Sequence, residues 1–218
     1  MRLVDLNHVV EHGMTTYPGL PGPVIGDHLT RAESRSHYAP GTEFHIGKIE
    51  MVANTGTYLD TPAHRYADGF DLAGLDLASV AALDGVVIDG GERMRAIDAD
   101  ALRGVDMRAK AVLFRTGWDR HWATAAYAND HPYLTDDCAA ALVEGGAALV
   151  GIDSLNIDDI ATGERPVHSR LLAARIPIVE HLCDLHQLAN APFTFFAVPV
   201  RVRGLGTFPV RAFAVLEV

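Results

Sequence analysis

The stretch Asn54-Thr55-Gly56-Thr57-Tyr58-Leu59-Asp60-Thr61-Pro62-Ala63-His64 carries a glycine bend, a proline bend, a carboxylate and an imidazole within eleven residues. Glycine lets the chain turn where other residues resist, and proline forces the residue before it into an extended conformation. The two bends place Asp60 and His64 on a tight, buried turn where their side chains converge. On this local pattern alone two readings stay open. Asp60 and His64 are either a turn-former beside Pro62 and a hydrogen-bonded core residue, or a pair that carries chemistry.

Upstream, Glu43 to Val52 reads as a strand, with β-formers at Phe44, Ile46 and Ile49. The first forty residues are irregular and punctuated by Pro18-Gly19-Leu20-Pro21-Gly22-Pro23 and Pro40-Gly41. A turn-rich segment of this length is a disordered arm or a covering loop, and His12, Tyr17, His28, His37 and Tyr38 argue against simple disorder. The expected organisation is therefore an N-terminal arm over residues 1–42, covering the site or a neighbouring subunit, followed by one domain over 43–218. Downstream, strand and helix signals alternate. Val86-Val87-Ile88, Ala111 to Phe114, Ala148 to Ile152 and Ile176 to Val179 are short apolar runs that read as strands, the last ending at Glu180. Asp98 caps a short helix through Leu102, and Thr135 is the N-cap of a longer one ended by Gly145-Gly146. His168 to Ala174 reads as a short helix. Phe193 to Val202 and Val210 to Val218 read as strands joined through Gly204-Leu205-Gly206. No internal repeat and no low-complexity linker interrupts this alternation, so the class is mixed α/β.

Composition narrows the function. The 218 residues are 49% hydrophobic and 21% charged, which suits a packed core and excludes a solvating disordered chain. A net charge of −10 disfavours binding to a phosphate backbone, so no nucleic-acid partner is expected. The two cysteines, Cys138 and Cys183, make no disulfide framework or zinc-finger spacing and read as buried small hydrophobes. The start Met1-Arg2-Leu3-Val4-Asp5-Leu6 is too polar for a signal sequence, and no apolar run approaches the ~18 residues of a membrane span. A cytoplasmic protein with no membrane partner is the expectation. Eleven histidines are the compositional figure that asks for a chemical explanation.

With those residues in view, the chain resembles the cyclase family, which includes bacterial kynurenine formamidase and isatin hydrolase. The family signature runs His-x-Gly-Thr-His-x-Asp-x-Pro-x-His, and Gly56, Thr57, Asp60, Pro62 and His64 stand as that signature has them. Val4-Asp5-Leu6 followed by Thr16-Tyr17-Pro18-Gly19, then Arg115-Thr116-Gly117-Trp118, and Gly151-Ile152-Asp153 are similar to further family segments in order and spacing. His168, with Glu180 twelve residues later, resembles the family's distal metal-binding pair. The resemblance implies an α/β fold of the swivelling β/β/α kind with mixed sheets, and a homodimer or homotetramer whose arm meets a neighbour. It also implies a hydrolase acting on the C–N bond of a small arylformamide or cyclic amide.

The departures from the signature are two. Asn54 and Tyr58 stand where the family has the histidines of its first metal site. An amide oxygen is a weak ligand, and a neutral phenol with a pKa near ~10 is poorer still. The resemblance leaves Asp60, His168 and Glu180 as metal ligands, so one divalent cation, Zn or Mn, is the expected cofactor. His64 matches the family's proton-shuttling histidine. Two carboxylates and an imidazole leave coordination positions open for water and substrate, and a cation there lowers the pKa of its water towards ~7. His64, with a reference pKa of about 6.5, then accepts the water proton and returns it to the leaving amine. Tyr58 is expected to donate a hydrogen bond to the developing oxyanion. Tyr17 and Asn54 are expected to contact the substrate.

The remaining histidines and arginines divide less sharply. His45, His37 and His28 are capping or solvated residues, or one of them supplies a compensating ligand. His181 is expected to alternate away from Glu180, and His121, His131 and His186 to lie on the surface or in loops. Arg35 and Arg65 serve a substrate carboxylate or make surface ion pairs, and Tyr66 and Phe70 are expected to pack. Two rival functions stand beside amide hydrolysis. One is cyclase- or dehydratase-like chemistry using His64 and Asp60 with little or no metal. The other is a binding protein that keeps the pocket without turnover. Activity that survives a chelator favours the first rival, and tight binding without turnover the second.

Overall fold

A computed structural model describes residues 1–91, 94–188 and 191–217. In chain order the strands are β1 (Arg2–Asp5), β2 (Val24–Leu29), β3 (Ile46–Glu50), β4 (Tyr58–Asp60), β5 (Leu83–Asp89), β6 (Ala96–Ile97) and β7 (Ala111–Arg115), then β8 (Tyr133–Leu134), β9 (Leu149–Ile152), β10 (Ile178–Glu180), β11 (Phe193–Phe196), β12 (Thr207–Pro209) and β13 (Phe213–Leu216). The α-helices are α1 (Arg31–Ser34), α2 (Asp136–Glu144) and α3 (Pro166–Ala173). Nine strands form one mixed sheet in the order β1-β13-β11-β5-β7-β9-β10-β4-β12. Its centre, β5-β7-β9-β10, is parallel, and the strands on both sides of that centre are antiparallel.

The parallel centre is built from runs that are apolar on both faces, as strands covered on both sides must be. Along β7, Leu113 faces one cluster while Val112 and Phe114 face the other. Leu149 and Val179 join Leu113, together with Leu59, Phe195 and Ala214 from the antiparallel strands, so the curled sheet encloses that cluster. Val150, Ile152 and Ile178 point the opposite way, to Cys138, Leu142 and Leu171 of α2 and α3. The period-2 alternation therefore divides the buried apolar side chains of these strands between two cores.

Local expectations are met with adjustments. Asp98 caps a short 3₁₀ turn over Ala99–Leu102 by accepting from Asp100 N–H. Thr135 stands at the N-cap of α2 but makes no side-chain cap bond, its one hydroxyl proton lying within reach of the Asp137 carboxylate and of Ile97 O at 3.2 Å. Helix α3 begins two residues before His168, on Pro166, whose missing N–H costs nothing in a first turn. The run from Phe193 is a strand only to Phe196, and the final run forms β13 at Phe213–Leu216; Val218 lies outside the described residues. The strand expected over Glu43–Val52 forms as β3 and pairs with β2, apart from the main sheet. All five residues of β3 are exposed. From the same N-terminal segment, β1 pairs with β13 in the main sheet. Both cysteines are free and buried. Among the described residues, no helix is long and apolar enough to cross a membrane.

Candidate metal centre

Three neighbouring strands assemble the centre. On one side of β4, Glu180 of β10 lies opposite Tyr58 and Ile178 opposite Asp60. On the other side, Thr207 of β12 lies opposite Asp60 and Pro209 opposite Tyr58. Residues two apart share a face and so do directly paired residues, so Tyr58, Asp60, Glu180 and Thr207 present their side chains together. Helix α3 adds His168. The chain after β4 bends into a 3₁₀ turn, Pro62–His64, that rests directly on Gly206. A Cβ on Gly206 would lie 2.2 Å from the His64 nitrogen, so only glycine permits this approach. Thr61 fastens the contact by donating its N–H and hydroxyl to Gly206 O at 2.7 and 2.9 Å.

Most polar atoms at the centre have an assignable hydrogen-bond partner. The Thr207 hydroxyl donates to Asp60 Oδ1 and lies 2.8 Å from His64 Nδ1. Its single proton goes to the carboxylate, so His64 Nδ1–H donates to Thr207 and the free lone pair of His64 is on Nε2. Asp158 Oδ2 accepts from the His168 backbone N–H at 3.0 Å and from ring Nδ1 at 2.7 Å, and Asp158 Oδ1 accepts from Val167 N–H at 2.8 Å. One buried carboxylate thus satisfies the start of α3 and orients its histidine. Glu180 Oε1 accepts from Ile157 N–H at 2.7 Å, and Oε2 accepts from the Tyr58 hydroxyl at 2.7 Å.

What is left over points to a cation. Asp60 is fully buried, and its Oδ2 has no hydrogen-bond partner among the described residues. His168 Nε2 lies 3.7 Å from that oxygen and 3.7 Å from Glu180 Oε1, too far for good hydrogen bonds. With Nδ1–H given to Asp158, the neutral ring turns a lone pair towards two carboxylates. Acceptors facing one another in a buried gap need positive charge between them, a proton or a metal ion. The protein's own field says the same. Burial disfavours the His168 imidazolium, but Glu180, Asp158 and Asp60 outweigh it and hold the pKa well above the ordinary imidazole value. Burial lifts Glu180 above the usual carboxylate range. Ligand atoms of Asp60, His64 and His168 all lie within 4.8 Å of one another. This mixed oxygen and nitrogen set fits Zn²⁺ or Mn²⁺.

The residues expected from the sequence divide as follows. Asp60, His64, His168 and Glu180 come together. His64 has a ligand atom within 4.8 Å of those of Asp60 and His168, and its side chain is about 35% exposed. Tyr58 is corrected: it is 2% exposed and its only proton goes to Glu180, so it offers no donor to an oxyanion. Burial above all, then Glu180 and Asp60, holds its pKa well above 10, so it remains a phenol. Asn54 is half-buried in the bend before β4. Tyr17 sits half-buried in a turn closed by Leu20 N–H donating to its carbonyl, and no described hydrogen bond ties it to the centre.

His131 lies in the loop before β8, one of its two expected placements, and is fully buried there with Nδ1 donating to Pro132 O at 2.9 Å. His181 lies beyond the end of β10, with φ at +58°, and is buried against the Tyr127 hydroxyl at 2.8 Å. Arg35 pairs with Glu43 at the surface, and Arg65 reaches Ser169. His45 pairs with Asp27 across the β2–β3 hairpin. Tyr66 donates to Ser169 O, and Phe70 lies under the Arg175 guanidinium. The sequence reading missed Asp158, Thr207 and Gly206. A carboxylate shortly before a helix that opens on proline was the available sign of Asp158. Thr207 and Gly206 carried no local signal.

Comparison with known proteins agrees with this architecture. A family model described as putative cyclase matches residues 4–159. Kynurenine formamidase of Bacillus cereus is 25% identical over 216 residues, covering 96% of this chain and 95% of that protein. A structure described as a potential metal-dependent hydrolase with cyclase activity superposes with a TM-score of 0.80 at 23% identity, over 98% of this chain and 96% of the other. An isatin hydrolase bound to the product analogue thioisatinate superposes with a TM-score of 0.82 at 21% identity, over 99% and 92%.

Proposed function

The chain belongs to the cyclase family, and on that premise we propose that it is a metal-dependent hydrolase cleaving the C–N amide bond of a small arylformamide or cyclic amide. The observation that carries this reading is the unpartnered Asp60 Oδ2 facing His168 Nε2 and Glu180 across a buried gap. The names of its relatives, kynurenine formamidase and isatin hydrolase, support the reaction class. Asp60, His168 and Glu180 hold one divalent cation, Zn or Mn. Bound there, the ion supplies Lewis acidity, lowering the pKa of a water and polarising a carbonyl.

The chain's own residues supply the rest. Asp158 holds His168 with its lone pair facing the two carboxylates. Thr207 fixes Asp60 Oδ1 and His64 Nδ1 together, so His64 keeps an open Nε2 on a side chain that solvent and substrate can reach. That nitrogen accepts a proton from the attacking water and delivers it to the departing amine. A homo-oligomer belongs to the same proposal. Val24, Ile25, Ile46 and Ile49 of the projecting hairpin are exposed apolar residues that a second copy would cover.

The test is a panel of N-formyl arylamines and cyclic amides, assayed with protein loaded with Zn²⁺ or Mn²⁺ and with Asp60→Asn. Hydrolysis by the wild type that collapses together with metal binding in Asp60→Asn supports the reading. Undiminished hydrolysis in Asp60→Asn refutes it.

A further inference from the structure

Glu180 is the ligand whose surroundings decide how many ions the centre can take. A carboxylate that joins two cations in the bidentate bridging mode offers one oxygen to each. Here Oε1 lies on the His168 side, 3.7 Å from Nε2, while Oε2 accepts the Tyr58 hydroxyl at 2.7 Å. The phenol has no freedom to leave. Tyr58 is the direct cross-strand partner of Glu180, it is 2% exposed, and its ring packs 5.1 Å from that of His181. The flank of Glu180 beyond Oε2 therefore presents a hydrogen-bonded phenol, a poor ligand for zinc or manganese. Among the described residues, the single trio of converging ligand atoms lies on the other flank, at Asp60, His64 and His168.

We propose that Tyr58 restricts the centre to a single cation. Its hydroxyl proton occupies the place at Glu180 Oε2 that a second ion would need, and the same hydrogen bond keeps Oε1 turned towards His168. Tyr58 is thus a positioning residue for the ligand Glu180. This rests on the metal centre of the preceding proposal and specifies its stoichiometry.

The experiment counts ions. Metal-stripped protein is titrated with Zn²⁺ and, separately, with Mn²⁺, and the ions per chain are read by native mass spectrometry while the ultraviolet difference spectrum is followed. Wild type is expected to saturate at one ion per chain, with no tyrosinate band. Tyr58→Phe keeps the ring in its slot and is expected to bind one ion about 10- to 100-fold more weakly, because Glu180 loses its support. The double variant Asn54→His, Tyr58→His is expected to take up a second ion. Two ions in wild type, a tyrosinate band that grows with metal, unchanged affinity in Tyr58→Phe, or a single ion in the double variant would each overturn the proposal while leaving a hydrolytic metal centre intact. No ion in wild type would overturn both.

Discussion

Replacing Thr207 by valine separates the roles of Asp60 and His64 without changing the volume between them. The hydroxyl it removes is the one group bonded to both, donating to Asp60 Oδ1 and lying 2.8 Å from His64 Nδ1. Asp60 is fully buried, so its oxygen would find no water in place of the lost donor. A hydrogen bond to a charged group contributes about 1.5–3 kcal/mol, which corresponds to roughly 10- to 150-fold in a rate or an equilibrium constant. His64 loses both its orientation and the acceptor that fixes its tautomer, so the loss should fall on kcat. The assay is initial-rate hydrolysis of the best amide from the panel, with metal content measured on the same samples. The expected result is kcat lowered about 10- to 100-fold with metal retained and KM little changed. Thr207→Ser, which restores the hydroxyl, should recover most of the rate. Full kcat and an unaltered pH profile in Thr207→Val would refute the Asp60–Thr207–His64 relay.

Asp158→Asn weakens the hold on both His168 and the first turn of α3, and should lower metal affinity about 10- to 100-fold by calorimetric titration; wild-type affinity would show that Asp158 only caps the helix. Gly206→Ala places a carbon 2.2 Å from the His64 backbone and should cost more than about 3 kcal/mol of stability, seen as a lowered Tm; a fully active variant of normal Tm would mean the turn has room to move. Burial lowers the pKa of His181 to about 3 and of His8 to about 4, so on acidification the unfolded chain takes up protons first. The stability they contribute is complete above the unfolded value of about 6.5 and is lost as pH falls towards the folded values. Glu180, Asp153 and His168 are shifted upward, so they gain stability over the same range and offset the loss. The clean readout is therefore the difference between variants: in metal-free protein, His181→Asn should remove roughly 2 kcal/mol of acid destabilisation between pH 7 and pH 5, measured by urea unfolding. A pH dependence unchanged in His181→Asn would contradict burial of that ring in its neutral form.

The parallel centre of the sheet was legible because its strands are short apolar runs bounded by turn residues, and Asp60, His64, His168 and Glu180 were legible as residue types of known chemistry. The antiparallel wings were harder. β12 lies beside a glycine-rich connection and has only three residues, and its pairing with β4 depends on a backbone contact at Gly206 that no period or propensity encodes. Tyr58 was misjudged for a related reason. Its identity announces a donor, but which acceptor takes the proton is decided by cross-strand register with Glu180, a contact 122 residues apart in the chain. His131 and His181 read as loop or outward-facing residues because burial of a histidine follows from tertiary packing and leaves no local trace.

Elemental analysis of the purified protein, before and after chelator treatment, with amide hydrolysis followed in the same samples, tests the central claim most directly. About one Zn or Mn per chain is expected, with activity lost on stripping and restored when either ion is returned. Hydrolysis at full rate in stripped protein, or a chain that takes up no ion at all, would contradict a metal-dependent hydrolase built on Asp60, His168 and Glu180.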